Sequence, residues 1–388
     1  MEADIAATRI PLCAPDIMEA DIAAMRIPLS APDIVEADIA AVVEVLRTPR
    51  ISLGPKLEEF EEAFARYIGV PHAVALSSGT AGLHLGLLAL GIGKGDEVIL
   101  PSFTFIAAAN AVLHARARPV FVDVDPVTLN LEPEKVERAI TPRTRAILAV
   151  HTFGIPAEMA PLLSVARQHG LRVIEDACEA IGAEYRGRRV GSLADLGVFA
   201  FYPNKPITTG EGGMVTTHDA RVADTIRALR NQGRRPGDGW LDHSLPGYNF
   251  RISEMNCALG LAQMRRIDEI LDRRAGAAAR YAEELRSVPN VTLPLASIEN
   301  GKVSWFVFVV RVENRDEVAR SLAERGIASG KYFAPLHRQP LFAPYVNVGD
   351  DFRVTEEASG QTLALPFFTR ITADQISDVC RGFRLSRK

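Results

Sequence analysis

The sequence predicts an α/β fold: a large domain built on a mostly parallel seven-stranded sheet, followed by a smaller α+β C-terminal domain. Three observations predict it. Seven short apolar runs lie between residues 72 and 217, segments of helical period separate most of them, and from residue 303 the order changes to a strand followed by helices. A length of 388 residues suits more than one domain. The expected division is 1–24 as a duplicated N-terminal extension, 25–270 as the large domain and 271–388 as the small one.

The elements follow in chain order. MEADIAATRIPLCAPDI (1–17) recurs as MEADIAAMRIPLSAPDI (18–34), differing only at Thr8/Met25 and Cys13/Ser30, and EADIAA appears a third time at 36–41. Only the third copy runs on into a helical pattern, with Ile39, Val42, Val43 and Leu46 on one face. That copy is read as the structural one and Met25 as the ancestral start. Residues 1–24 are then a disordered product of tandem duplication or of a start placed too early, since a solenoid needs about three stacked units of twenty or more residues. The strand runs are 72–76 (HAVAL), 97–101 (EVILP), 119–124 (PVFVDV), 145–150 (RAILAV), 172–176 (RVIED), 197–202 (GVFAFY) and 213–217 (GMVTT). Helical segments such as 81–91 and 158–169 read as crossovers between parallel strands. Long helices near 255–287 lead to a strand at 303–312 (VSWFVFVVRV), a helix at 315–325 and a last one at 373–384.

Composition narrows the function. Forty-four basic against 48 acidic residues give a net charge of −4, which argues against a nucleic-acid binder. No window approaches the ~18 uninterrupted apolar residues of a membrane span, and Glu2 and Asp4 stand where a secretory signal carries positive charge. The four cysteines (Cys13, Cys178, Cys257, Cys380) form no CxxC pair, so no disulfide scaffold or metal site is expected, and the cytoplasm is the expected compartment.

Three islands carry chemistry. Ser77-Ser78-Gly79-Thr80-Ala81-Gly82 lies between a strand and a helix, where open backbone N–H groups can bind phosphate, or where small residues simply cap and pack the helix. It lacks the Lys-Ser/Thr ending of a P-loop. Asp176, in VIEDACE, falls at the carboxyl end of a strand, where ligands of open α/β sheets bind; it can pair with a cationic nitrogen or cap the next helix. Lys205, in FYPNKPITTGEGG, sits 29 positions further on in an apolar, hydroxyl and glycine context. It is either a snorkelling lysine or an amine able to form a Schiff base. A phosphate cradle, a carboxylate for a pyridinium nitrogen and an imine-forming amine are together what pyridoxal phosphate requires.

With FYPNKPITTGEGG and GYNFRISEMNCALG, the chain from about Ile27 onward resembles the fold-type I aminotransferases, specifically the DegT/DnrJ/EryC1/StrS sugar aminotransferases. The resemblance implies pyridoxal 5'-phosphate as cofactor, Lys205 as the imine-forming lysine and Asp176 as the partner of the pyridine nitrogen. It implies Phe105 as the aromatic stacked on the ring, Gly79 and Thr80 as phosphate ligands, and Glu179 beside the ring where many relatives have Gln or His. Ala200 stands where some relatives have a phosphate-binding Ser. Asn249 is similar to the asparagine that family members present across a homodimer interface, which implies shared active sites. In the small domain, KYFAPLH (331–337) resembles the family's substrate loop, so Tyr332 and His337 are candidate substrate residues; His337 can equally be structural. Arg251, with Arg227, Arg230, Arg234 and Arg235, forms a basic stretch suited to a nucleotide diphosphate or to a solvated helix end. The implied reaction moves an amino group from glutamate or a similar donor to the keto carbon of a nucleotide-activated sugar. Glu179 and ITTGEGGM look most like members acting at C4 of 4-keto-6-deoxy sugars, the GDP-perosamine synthases among them. A sugar dehydratase of the same fold replaces the lysine with histidine, and Lys205 argues against it, as the intact Asp176/Lys205 pair argues against a silent regulator.

Overall fold

The computed structural model describes residues 26–386 apart from 236, 240, 347, 348 and 350. The expectations for residues 1–24 and for Met25 lie outside the described residues. The seven apolar runs are strands: β1 (His72–Leu76), β2 (Glu97–Pro101), β3 (Arg118–Val122), β4 (Thr144–Val150), β5 (Arg172–Asp176), β6 (Leu196–Ala200) and β7 (Gly213–Thr217). Among the described residues they form a seven-stranded sheet in the order β1-β7-β6-β5-β4-β2-β3. β7 is antiparallel to both neighbours and the pairs from β6 to β3 are parallel.

The helices of this domain are α1 (Glu36–Leu46), α2 (Pro55–Ile68), α3 (Gly79–Ala89), α4 (Ala107–His114), α5 (Pro133–Arg138), α6 (Met159–His169), α7 (Ala220–Arg230) and α8 (Glu254–Met264). They cover both faces of the sheet, which is why its strands read as continuous apolar runs rather than alternating ones. Val74, Leu76, Val98, Leu100, Ala146 and Leu148 pack toward α3, α4 and α7. The residues between them, including Ala73, Ala75, Ile99, Ile147 and Ala149, serve the cores under α2, α6 and α8. Asp176 ends β5, and Ser102, Asp123 and His151 follow β2, β3 and β4, so polar side chains gather at the carboxyl edge of the parallel strands.

A long helix, α9 (Ile267–Leu285), leads into the small domain, and the expected boundary at residue 270 falls inside it. There β8 (Val291–Thr292), β9 (Phe308–Val312) and β10 (Thr362–Leu365) form an antiparallel sheet. It packs with α9, α10 (Arg315–Ala323) and α12 (Ala373–Leu385) around Tyr281, Phe308, Val310, Leu322 and Phe383, while α11 (Arg353–Gln361) lies toward the large domain. The RIPLSAPDI segment is built into this frame: Ile27 is buried and bridges Ile327, and Leu29 accepts a hydrogen bond from the Phe367 N–H at 2.8 Å.

One helix is oriented against the usual rule for an apolar stripe, and one expectation needs correction. The third EADIAA copy is a helix, α1, but its apolar stripe is on the open side: Ile39 and Leu46 are 48% and 57% exposed while Asp38 is buried. The polar contacts decide this, because Asp38 Oδ2 accepts hydrogen bonds from the Val35 N–H and from Gln263 and lies 3.5 Å from Arg266. The run 303–312 is a strand only from Phe308. Upstream of it the backbone finds partners elsewhere: the Ser304 N–H donates to the Gly154 carbonyl at 3.0 Å, and Arg274 takes the carbonyls of Trp305 and Phe306, both at 2.7 Å.

Candidate active site

Close backbone approach joins the first and third islands. Gly213 opens β7 against the turn between β1 and α3, where a Cβ would come within 2.4 Å of the Ser78 carbonyl, and at Gly79 one would come within 2.8 Å of the Ala200 Cβ. Ser78 caps α3, its hydroxyl accepting from the Ala81 N–H at 3.1 Å. Thr80, half-buried, stands in the first turn, so the helix N-terminus faces the site with Gly79 and Thr80 at its tip.

Asp176 is 8% exposed at the end of β5; its Oδ1 accepts the Cys178 N–H at 3.1 Å, and its carbonyl accepts the His151 N–H. Behind it the fully buried His151 and Glu175 pair at 3.0 Å. Glu175 also accepts the N–H groups of Gly191, Leu193 and Ala194, which locks the β5–β6 connection under the site. Three residues beyond Asp176, Glu179 is held by the Phe153 N–H, which donates to Oε2 at 2.8 Å from a left-handed backbone with φ 56°. The Lys205 amine lies 4.0 Å from Glu179 Oε1 and 3.8 Å from the centre of the Phe306 ring, with its side chain 13% exposed. Burial pushes the Glu179 carboxyl above its ordinary value, against the opposing pull of Lys205 and of the Phe153 N–H. Burial, reinforced by Asp176, pushes the Cys178 thiol well up, so it is no nucleophile. Phe105 follows β2 and is 61% exposed, although Phe103 two residues before it is fully buried, so Phe105 is no part of the core. A half-buried primary amine set between a carboxylate and an aromatic ring can bond to a carbonyl compound and carry a proton to or from it.

Comparison with known proteins agrees. The model of the DegT/DnrJ/EryC1/StrS aminotransferase family matches residues 32–384. The chain belongs to that family. It is 44% identical over 346 residues to the GDP-perosamine synthase of Caulobacter vibrioides, covering 87% of this chain and 92% of that one. Its fold matches S. venezuelae DesV in complex with a ketimine intermediate, with a TM-score of 0.86 and 39% identity over 90% of this chain and 94% of that one. It also matches the PLP form of Spr1654 from Streptococcus pneumoniae, with a TM-score of 0.88 and 29% identity over 93% and 98% of the two chains.

The remaining sequence-derived candidates divide in this aminotransferase. Tyr332 comes to the site: it stacks with Phe333, and burial together with Glu179 pushes its phenol up to about 12. His337 does not offer a free nitrogen, which favours the structural one of its two readings. The Ser102 hydroxyl accepts the His337 backbone N–H and lies 2.7 Å from Nδ1, while Nε2 lies 3.0 Å from Glu356. Phe352 stacks on its ring at 4.1 Å, so the ring is held from its face as well as from its nitrogens. The basic stretch is also dispersed. Arg230 is buried against Glu61 at 2.5 Å and the Ala75 carbonyl at 2.6 Å, Arg227 pairs with Asp224, and Arg251 donates to Asn231 Oδ1 at 3.0 Å. Arg227 and Arg230 therefore neutralise carboxylates of their own chain. Asn249 is exposed, while Tyr248 and Phe250 on either side stack on each other at 5.1 Å, and Phe250 accepts the Ser77 N–H at 2.9 Å. Its segment is thus tied to the β1–α3 turn. Sequence reasoning missed Phe306, whose apolar run carries no sign of a ring set against the lysine.

Proposed function

We propose that the enzyme uses pyridoxal 5'-phosphate to move an amino group from glutamate, or a similar donor, to the keto carbon of a nucleotide-activated sugar, at C4 of a 4-keto-6-deoxy sugar. The observation that carries this reading is the Lys205 amine, its side chain 13% exposed, held 4.0 Å from Glu179, which lies three residues beyond Asp176 at the end of β5. The residues present fit the cofactor, because the exposed Phe105 ring offers a face to a flat heterocycle where a core phenylalanine would be buried. Gly79, Thr80 and the N-terminus of α3 would hold the phosphate, Asp176 would keep the ring nitrogen protonated, and Glu179 would lie beside the ring. When bound, the cofactor supplies an electron sink for the carbon that loses its proton. Lys205 Nζ holds and moves that proton, Phe306 keeps water from one side of the amine, and the Tyr332 hydroxyl and Arg251 are the polar groups offered to the sugar nucleotide.

Similarity to the Caulobacter GDP-perosamine synthase supports the substrate class. A homodimer with shared sites is supported by two surfaces. Asn249 is exposed, and so are the apolar side chains Ile34, Ile39, Val43, Leu46, Ile51 and Leu53 near the N-terminal end of the described chain, which a second copy of the chain would cover. The free thiols of Cys178, Cys257 and Cys380 suit the reducing cytoplasm, and no described helix is long and apolar enough to cross a membrane. The test is spectroscopic and chemical. The purified protein should be yellow, bleach with glutamate, and then convert a 4-keto-6-deoxy sugar nucleotide into a product carrying an amino group, read by mass spectrometry. Failure to bleach with any amino donor would refute the transferase reading, and bleaching with no keto-sugar nucleotide accepted would refute the substrate class.

A further inference from the structure

Residues 26–34 form a strap that ties the two domains together. Ile27, 1% exposed, donates its N–H to the Gly326 carbonyl at 3.0 Å, and its own carbonyl accepts the Ala328 N–H at 3.0 Å. Leu29 meets Phe367 through its carbonyl, and Arg26 pairs with Asp378 at 2.7 Å. At the other end Asp33, 4% exposed, faces Arg266 at 3.2 Å and Arg370, while its carbonyl accepts from the Gln263 amide at 2.8 Å. Gln263 Oε1 in turn accepts the Thr208 N–H at 3.4 Å, so the strap bears on the loop that carries Lys205.

Each side chain that makes these contacts occurs twice in the sequence. Arg26, Ile27, Leu29 and Asp33 repeat Arg9, Ile10, Leu12 and Asp16, and the intervening Pro28 and Pro32 repeat Pro11 and Pro15. Within 9–17 and 26–34 the one difference, Cys13 for Ser30, falls at an exposed position of the strap. The groove therefore meets the same chemistry in either copy, and only connectivity tells them apart. Residues 26–34 run straight into α1, whereas 9–17 in the same place would leave 18–34 looped out between the groove and that helix. α1 itself does not slip with the strap, because Pro28 would then stand in its last turn where Val45 is buried. Closing a loop of that length costs roughly 70-fold, the three-halves power of its residue count.

We propose that this groove is a docking site for either copy: residues 26–34 fill it in the intact chain, and residues 9–17 of the same chain enter it when the second copy can no longer hold. The first copy is a competing strap, kept out by the loop it would have to close rather than by any contact it lacks. The occupant belongs to the same chain, because a short tether presents it to the groove at a far higher effective concentration than a segment of another molecule reaches. Duplication has thus given the domain junction two interchangeable ties, of which one is held in reserve.

The test uses the full-length chain in four forms: wild type, Ile27→Asp/Asp33→Ala, Ile10→Asp/Asp16→Ala, and all four changes together. Hydrogen exchange read by mass spectrometry tells the copies apart, since Cys13 against Ser30 and Thr8 against Met25 give their peptides different masses. In the wild type and in Ile10→Asp/Asp16→Ala the slowly exchanging amides should lie in 26–34, at the same urea midpoint. In Ile27→Asp/Asp33→Ala the protection should move to 9–17. Its unfolding equilibrium constant should rise by no more than about 70-fold, although a buried charge and two arginines deprived of their acid would otherwise cost more than ~1,000-fold. The chain with all four changes should exceed that limit or fail to fold. Exposed amides throughout 9–17 in Ile27→Asp/Asp33→Ala, failure of that chain to fold, or stability no better than with all four changes overturns the proposal. Recovery that grows with protein concentration overturns it too, because the groove would then be filled by another molecule's copy.

Discussion

Asp123 ties the two domains together beside the cleft, and its removal should be costly. It follows β3, is 2% exposed, and accepts three hydrogen bonds at the start of α11: Oδ1 from the Thr355 N–H at 2.8 Å and hydroxyl at 2.7 Å, and Oδ2 from the Val354 N–H at 3.0 Å. A carboxylate at the first turn of a helix also meets the positive end of its dipole. Asp123→Ala leaves these donors buried without an acceptor; at ~1–3 kcal/mol each, with incomplete additivity, the expected loss is about 3–5 kcal/mol. Lys135 loses less, because Glu132 remains 2.8 Å away. The assay is urea unfolding at pH 7. The acid side carries a second signature. Burial alone would raise the Asp123 carboxyl, but the hydrogen bonds from Thr355 and Val354 hold it below its ordinary value. The stability that follows from a depressed carboxylate is complete above the unfolded value, about 3.9, and is lost as pH falls through the lower folded value. The gap between wild type and Asp123→Asn should therefore stay constant from neutral pH down to about 5 and narrow below about 4. A loss under about 1 kcal/mol for the alanine variant, or a gap that does not narrow in acid, would refute this account of how α11 is fastened.

Other outcomes follow from the same geometry. Lys205→Ala should fold with an unchanged melting curve and lose turnover; activity within about tenfold of wild type, roughly 1.4 kcal/mol in barrier, would contradict its role. Mixing inactive Lys205→Ala with an inactive Asn249 variant under subunit exchange should restore activity through hybrid dimers holding one intact site, and verified exchange without recovery would count against sharing. His337→Leu should lower thermal stability and leave substrate KM nearly unchanged, because its ring contacts are Ser102, Glu356 and Phe352; a large rise in KM at wild-type stability would restore it as a substrate group. Deleting residues 1–24 should leave activity and melting temperature close to those of the full chain, since Arg26 onward supplies the docked segment; a marked fall in melting temperature would show that the extension packs.

The parts of this molecule that were legible in the sequence are those whose local context differs from their surroundings. β2 and β4 read as strands because both faces are covered, which demands unbroken apolar runs, and Lys205 stood out as a lone cation among apolar and glycine residues. What stayed illegible depends on partners distant in the chain. Nothing near His337 announces that Ser102 and Glu356 will take its ring nitrogens, and nothing near Arg230 announces Glu61. The stripe on α1 was legible as a helix, but its orientation was not, because the inner face is taken by the buried acid Asp38 and by Val45 while Ile39, Val43 and Leu46 stay exposed. The same reasoning explains Phe306. The segment 303–307 has the composition of a strand, and whether it becomes one depends on whether its carbonyls meet a ladder or the Arg274 guanidinium. That choice is made by a residue on another element, and it sets an aromatic face against the Lys205 amine. In this fold the groups that do chemistry advertise themselves locally, whereas those that position them are fixed only when the small domain's backbone is satisfied by the helix that leads into it.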